Sequence, residues 1–224
     1  MKYKELFSDI LFNNRSDYSE IRIEETDSTR LVYKGKELDN ISQNISFGGN
    51  VRSAYKGGWG FSSFNFLSDI EKDLNNIHTE AFLQAKSIGD SKTNLAEVEP
   101  NIDKVVNSSG KNPNLVTIKE KKELLEHYIG LIFSSNKISS ADVIYGDMKR
   151  KVYFGNSDGT YIEQEYSHVI SRIAIQTRIG DDILESGFSI GSLGDYDLVE
   201  NLEDLVLEHR DKAIGLLKSK TLSG

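Results

Sequence analysis

Hydrophobic and polar positions change period several times along this chain, and each change marks an element. Residues 3–13 place Leu6, Phe7, Ile10 and Leu11 on one side, the spacing of a short amphipathic helix. Tyr18 to Glu24 then alternates, as a half-buried strand does, and Asp27-Ser28 reads as a turn before a second strand from Thr29 to Lys34, closed at Gly35. A third strand is expected over 37–47, broken by Gly48-Gly49-Asn50. Val51–Tyr55 and Trp59–Phe64 follow as a hairpin around Lys56-Gly57-Gly58. Ser68-Asp69-Ile70-Glu71 has capping-box spacing and opens a helix whose stripe runs Leu67, Ile70, Leu74, Ile77, Ala81, Ala85, Ile88, ending at Gly89.

Residues 90–116 lose this periodicity. They contain both prolines, Pro100 and Pro113, among turn-forming residues. A second series follows: a helix capped by Thr117 and Glu120, strands at about 139–146, 149–155, 160–167, 168–179 and 182–190, and a last helix opening near Asp197 with Glu200 at the D-x-x-E position. The predicted fold class is α+β, built from two similar helix–antiparallel meander–helix units. The predicted domains are 1–90 and 117–224, joined by a linker over 91–116.

The two series share short words in the same order. Val32-Tyr33-Lys34-Gly35 and Gly60-Phe61-Ser62 in the first correspond to Val152-Tyr153-Phe154-Gly155 and Gly187-Phe188-Ser189 in the second. Two readings stay open: a duplication, or two unrelated meanders of similar length.

Composition narrows the function. The 224 residues carry 27 basic and 35 acidic side chains, net −8, with no basic run interleaved with aromatics; a nucleic-acid backbone is not the expected partner. No cysteine is present, which removes disulfides, thiolate metal sites and thiol nucleophiles. The first residues lack the apolar core of a signal peptide, and no window is apolar enough to span a bilayer, so a cytoplasmic protein without a membrane partner is expected.

Candidate chemistry is sparse. The four histidines, His78, His127, His168 and His209, stand far apart, and none has the H-E-x-x-H spacing of a helical zinc site. His209 falls on the apolar face of the last helix, where a packed histidine is the expectation. Gly187-Phe188-Ser189-Ile190-Gly191 fits G-x-S-x-G, but a nucleophile elbow needs a helix directly after the serine, and the segment reads as a hairpin. Asp181-Asp182 reads as a solvated turn. Gly57-Gly58-Trp59-Gly60 lacks phosphate-loop spacing; Trp59 there is either a core anchor or an exposed contact. No catalytic, cofactor-binding or metal-ligating residue is assigned.

Read in order, Tyr18-Ser19-Glu20-Ile21-Arg22, Gly49-Asn50-Val51-Arg52 and Gly58-Trp59-Gly60-Phe61-Ser62-Ser63 resemble the N-terminal region of the TldD/PmbA proteins, the Trp-Gly-Phe version being closer to the TldD branch. Ala141-Asp142-Val143, Asn156-Ser157-Asp158-Gly159 and Gly187-Phe188 resemble their middle domain, and Ala213-Ile214-Gly215-Leu216-Leu217 the helix before their catalytic part. These proteins are known as modulators of DNA gyrase and as zinc metalloproteases. The resemblance implies that this chain is the non-catalytic front portion of a protease of peptides or unfolded proteins, its HExxxH zinc motif lying beyond residue 224. Scaffold, dimerisation surface and substrate-chamber wall are the implied roles, with a second TldD/PmbA-like chain as homo- or heterodimeric partner and zinc in the parent but not here. The alternatives are a stand-alone regulatory module that pairs with a full-length member, and a serine hydrolase using Ser189.

Overall fold

The computed structural model describes residues 1–12, 15–107 and 110–219. Among these, four α-helices and seven strands make an α+β fold with a mainly antiparallel sheet, ordered β3-β2-β1-β5-β6-β4, with β7 also paired to β6. The helices are α1 (Lys4–Phe12), α2 (Ile70–Ile88), α3 (Ile118–Ile132) and α4 (Glu203–Leu216). The strands are β1 (Tyr18–Lys34), β2 (Glu37–Tyr55), β3 (Gly58–Phe64), β4 (Ile102–Asn107), β5 (Ser140–Asn156), β6 (Tyr161–Ile179) and β7 (Asp182–Ser192). Positions 13–14, 108–109 and 220–224 lie outside the described residues.

Four strands are longer than their local sequence suggests. Asp27-Ser28 makes no turn, and β1 runs through it; Gly48-Gly49 does not break β2. Thr26 Oγ1 and Ser46 Oγ pair at 2.5 Å, and the Ser28 hydroxyl donates to the Asn44 carbonyl, so neighbouring strands hold these positions extended. At Gly49 an added Cβ would fall 2.2 Å from the Arg22 carbonyl and 2.5 Å from the Phe64 ring: the glycine marks a close approach and not a break. β5 and β6 likewise each absorb two predicted strands. Within 91–116 a strand forms, β4, with every residue exposed.

Turn and cap chemistry follows the sequence closely. The β2–β3 hairpin turns through Lys56 (φ 46°) and Gly57 (φ 78°), the left-handed pair of a type I′ turn, with Tyr55 opposite Gly58. Thr117 and Glu120 form a full capping box on α3. At α2 the cap shifts by one residue: Asp69 accepts from the Lys72 N–H, while Ser68 donates to Asp73. Asp197 caps no α-helix. It lies in a 3-10 turn, Tyr196–Val199, and left-handed Asn201 (φ 56°) delays α4 to Glu203. The Tyr128 hydroxyl fixes this junction, donating to the Val199 carbonyl (2.8 Å) and accepting from the Leu202 N–H (3.2 Å).

The chain divides into two compact units, each assembled from three segments: 1–26, 45–106 and 150–165 in one; 27–44, 107–149 and 166–224 in the other. The core of the first joins Phe7, Ile10 and Leu11 of α1 to Ile21, Ile23, Val51, Leu74, Ala81, Tyr153 and Tyr161. The core of the second joins Leu31, Tyr33, Val143, Tyr145, Val169, Ile173 and Ile175 to Leu125, Tyr128, Ile132, Val206 and Ala213 of the helices. In both, alternate strand residues are buried beneath helices, the pleat that the sequence periodicity predicts.

The core-anchor reading of Trp59 is corrected by the first unit. Trp59 is 42% exposed and Phe61 52%, while Gly58 and Gly60 face α2. A Cβ on Gly60 would sit 1.8 Å from the Ala81 carbonyl oxygen, so α2 packs against strand backbone and the aromatics take the other face. Trp59 meets Tyr18 edge-on at 6.0 Å and lies beneath the Arg52 guanidinium at 5.6 Å. Gly60→Ala is expected to cost about 1–3 kcal/mol by overpacking, whereas Phe61→Ala should stay within about 0.5 kcal/mol. Urea titration of both variants checks the contrast, and equal losses would refute this packing.

Candidate functional site

In the second unit the sheet face away from α3 and α4 carries a groove of about 320 Å³. Four strands make its floor and rim. β5 contributes Ile144, Gly146 and Met148, the residues between the buried row Val143, Tyr145 and Asp147. β6 contributes His168 and Ile170; β1 contributes Ser28 and Arg30, and Ser42 of β2 closes one side. Gly146 gives the floor its depth, because a Cβ there would come within 3.3 Å of Ile170. Ile170 itself is 52% exposed, and His168 stacks edge-on to Tyr166 at 5.3 Å. An apolar floor with hydroxyls, a guanidinium and an imidazole at its margin suits an extended polypeptide: apolar side chains on the floor, polar main chain at the rim.

Beneath this floor lies a buried ion pair. Lys121 of α3 reaches Asp147 of β5 at 2.6 Å, both side chains at most 3% exposed, with the ammonium 5.5 Å from the Tyr145 ring. Burial, and then the neighbouring Asp147 carboxylate, push the Tyr145 hydroxyl far above its ordinary value, so it stays protonated. The Tyr196 ring packs edge-on against Tyr145 at 6.0 Å, and burial pushes its hydroxyl up too. The pair ties the helix layer to the strand whose other face forms the groove floor.

The first unit has its own polar centre. Ser19 Oγ lies 2.8 Å from Ser53 Oγ, 2.8 Å from Ser16 Oγ and 3.0 Å from His78 Nε2, and both Ser19 and Ser53 are fully buried. Burial lowers the His78 pKa, so the ring is held neutral. Sequence periodicity missed His78 as a core residue; Leu74, His78, Ala81 and Ala85 form the buried stripe of α2, and Ile88 is 65% exposed. On the same unit's sheet, Glu24 bridges Arg22 and Arg150; burial alone would raise its pKa, but hydrogen bonds from both arginines outweigh it and hold the carboxyl low.

The remaining singled-out residues do not converge. His127 pairs with Glu203 at 3.3 Å in exposed positions, and His209 Nδ1 lies 2.9 Å from Ser186 Oγ against the Phe188 ring. Ser189 sits mid-strand opposite Arg172, with β7 continuing to Ser192; this is not the strand–turn–helix of a nucleophile elbow. Asp181 is fully exposed at the β6–β7 turn near Arg178. Among the described residues, no three His, Cys, Asp or Glu side chains are grouped to hold a metal ion. The described chain therefore supplies no donor set suited to zinc, and no chemical step is assigned through one. No helix among these residues is long and apolar enough to cross a membrane.

Comparison with known proteins matches both halves of the chain. The family model for PmbA/TldA metallopeptidase domain 1 covers residues 19–85, and that for the PmbA/TldA metallopeptidase central domain covers 111–217. A metalloprotease of Synechocystis sp. is 31% identical over 215 residues, spanning 95% of this chain and 46% of the relative. Among solved structures, a Bacteroides thetaiotaomicron protein described as a modulator of DNA gyrase aligns with TM-score 0.74 at 17% identity, over 99% of this chain and 51% of that one. TldE from Thermococcus kodakarensis aligns with TM-score 0.70 at 16% identity, over 95% and 46%. The chain thus spans about half the length of the curated relatives it matches.

Two outcomes follow from the buried groups. Asp147→Ala leaves the Lys121 ammonium buried without its counter-charge and should cost about 3–5 kcal/mol in urea unfolding; a loss below about 1 kcal/mol would mean the pair braces nothing. For His78, the folded pKa lies below the ordinary 6.5, so the unfolded chain binds the extra proton. Stability should fall as pH drops below 6.5 and towards the lowered folded value, and His78→Gln should flatten that slope; an unchanged slope would sink the assignment.

Proposed function

The chain belongs to the PmbA/TldA metallopeptidase family, and from that premise we propose that it is the non-catalytic front half of a zinc metalloprotease acting on peptides or unfolded proteins. Its roles are scaffold, pairing surface for a second TldD/PmbA-like chain, and wall of the chamber that receives substrate. The observation that carries this is one of extent. Domain 1 and the central domain account for residues 19–85 and 111–217, and together the chain aligns with less than half of each curated relative. The groove supports the wall role: it can seat an extended chain, and its residues include no grouped metal donors. Zinc and the water it activates would belong to the part of the parent that carries HExxxH. A cytoplasmic location is part of the same proposal.

Two features favour an origin by duplication. Gly60-Phe61-Ser62 and Gly187-Phe188-Ser189 each lie on the second strand of a hairpin, and each of those strands packs against the helix that follows it.

The direct test supplies zinc and an unstructured peptide to the purified chain, alone and mixed with a separately made HExxxH-bearing half from a full-length relative. No cleavage alone and cleavage on mixing is the expected result. Stoichiometric zinc and hydrolysis by the chain alone would overturn the proposal.

A further inference from the structure

β2 is exposed in an unusual way. Glu37 to Ser46 are exposed at every position, with no alternation, whereas β1 beside it buries Thr29, Leu31 and Tyr33 in alternation. Its pairing with β3 ends at Gly49↔Phe64, and β1 is its other neighbour in the sheet. Residues 37–48 therefore have a strand partner on one side only among the described residues. On the other side they present a row of unpaired main-chain donors and acceptors, a template for another strand.

Proteins usually blunt such an edge with charge, proline, a bulge or a covering element. The other outer strands here show those devices. β4 carries Asp103 and Lys104, β7 carries Asp182 and Glu185, and β3 is packed by α2, with Gln84 accepting from the Phe61 N–H. Beyond Glu37 and Asp39 at its start, the β2 edge shows none of them. In a chain with 28% charged residues, positions 40–51 have no charged side chain and no proline, yet display Ile41 (44% exposed) and Ile45 (80% exposed). An uncharged β-forming edge of this kind is an aggregation hazard unless something pairs with it.

Its sequence indicates what pairs. Asn40-Ile41-Ser42-Gln43-Asn44-Ile45-Ser46 is a chemical palindrome about Gln43. We propose that this segment pairs antiparallel with the same segment of a second copy of the chain across a two-fold axis at Gln43. That register sets Ile41 opposite the partner copy's Ile45, twice, and matches Asn40 to Ser46 and Ser42 to Asn44. Asp39 falls opposite Phe47, so no like charges meet, and the ladder ends before Glu37 because the edge at Gly49 is already taken by Phe64 of β3. Such a contact is isologous and closes, which ends the edge without fibre growth. The inference deepens the pairing role proposed above and rests on it for the identity of the occupant.

Because the chain has no cysteine, one introduced thiol reports one contact. Gln43→Cys puts two sulfurs at a directly opposed pair, within disulfide reach. Asn40→Cys, whose copies would stand six residues apart or about 20 Å, is the control. The expected result is a dimer by sedimentation velocity, oxidised cross-linking of Gln43→Cys but not Asn40→Cys, and at least a tenfold rise in dimer Kd for Ile45→Lys with unchanged circular dichroism. A dimer that ignores both Gln43→Cys and Ile45→Lys would overturn this edge while leaving the pairing role standing. A chain that stays monomeric at high concentration would overturn self-pairing, and titration with a full-length relative would then judge the pairing role separately.

Discussion

The constraint on which the structure depends is one-sided burial. Within each unit, the strands give one row of side chains to the helices and leave the other row at least partly open. Burying the inner row in water-free contact supplies the main driving force, at roughly 25 cal/mol per Å² of apolar surface. The outer row is then free to vary in chemistry, and it is where this chain differs from point to point: charge-paired in Arg22–Glu24–Arg150, aromatic at Trp59 and Phe61, apolar and recessed around Gly146. Function in such a protein is written on outer rows and edges, because the inner rows are committed to packing.

Much of the inner row was legible from period alone. Ile21, Ile23, Leu74, Ala81 and Ala85 fall where alternation and helical spacing put them, and the Thr117 cap and the Lys56-Gly57 turn carry enough local chemistry to be read without tertiary context. What failed was punctuation. Asp27-Ser28 and Gly48-Gly49 carry strong turn propensity, but propensity is a weak prior beside a ladder of hydrogen bonds to neighbouring strands. The same neighbours explain why each compact unit collects three separate segments: β1 pairs with β5, more than a hundred positions later, and no window along the chain contains that information. Trp59 went outward for a different reason. The glycines flanking it let α2 approach the strand backbone, so the inner row there is defined by the absence of side chains, which a hydrophobicity pattern reads backwards.

The candidate groove was nearly invisible for a related cause. Its members sit on four strands, and of them only His168 drew notice for its chemistry, with Ser28 read as part of a turn. One signal was available: β5 is apolar on both faces, with Ala141, Val143 and Tyr145 on one side and Ile144 and Met148 on the other. A strand apolar on both faces expects cover on both. The buried Lys121–Asp147 pair was hidden in the same way, since nothing in the local sequence sets Lys121 apart from Lys119 and Lys122, and only the placement of Asp147 shows which lysine turns inward.

Edges and faces carry different kinds of specificity. The groove offers shape and scattered polar groups, which under the proposed wall role would accommodate many extended peptides. The β2 edge offers main-chain hydrogen bonds, which are generic, so its selectivity must come from the side chains that stand across the pair. There a run of like residues about Gln43 favours its own copy, because the antiparallel register sets Ile41 against Ile45 on both sides of the axis. Leaving residues 40–51 uncharged costs protection against aggregation in the unpaired chain, a cost that is offset only while the edge is occupied. The absence of gatekeeper residues is therefore itself an argument that β2 works as an interface: if the edge faced water throughout the protein's life, one lysine at position 45 would remove the hazard without touching either core.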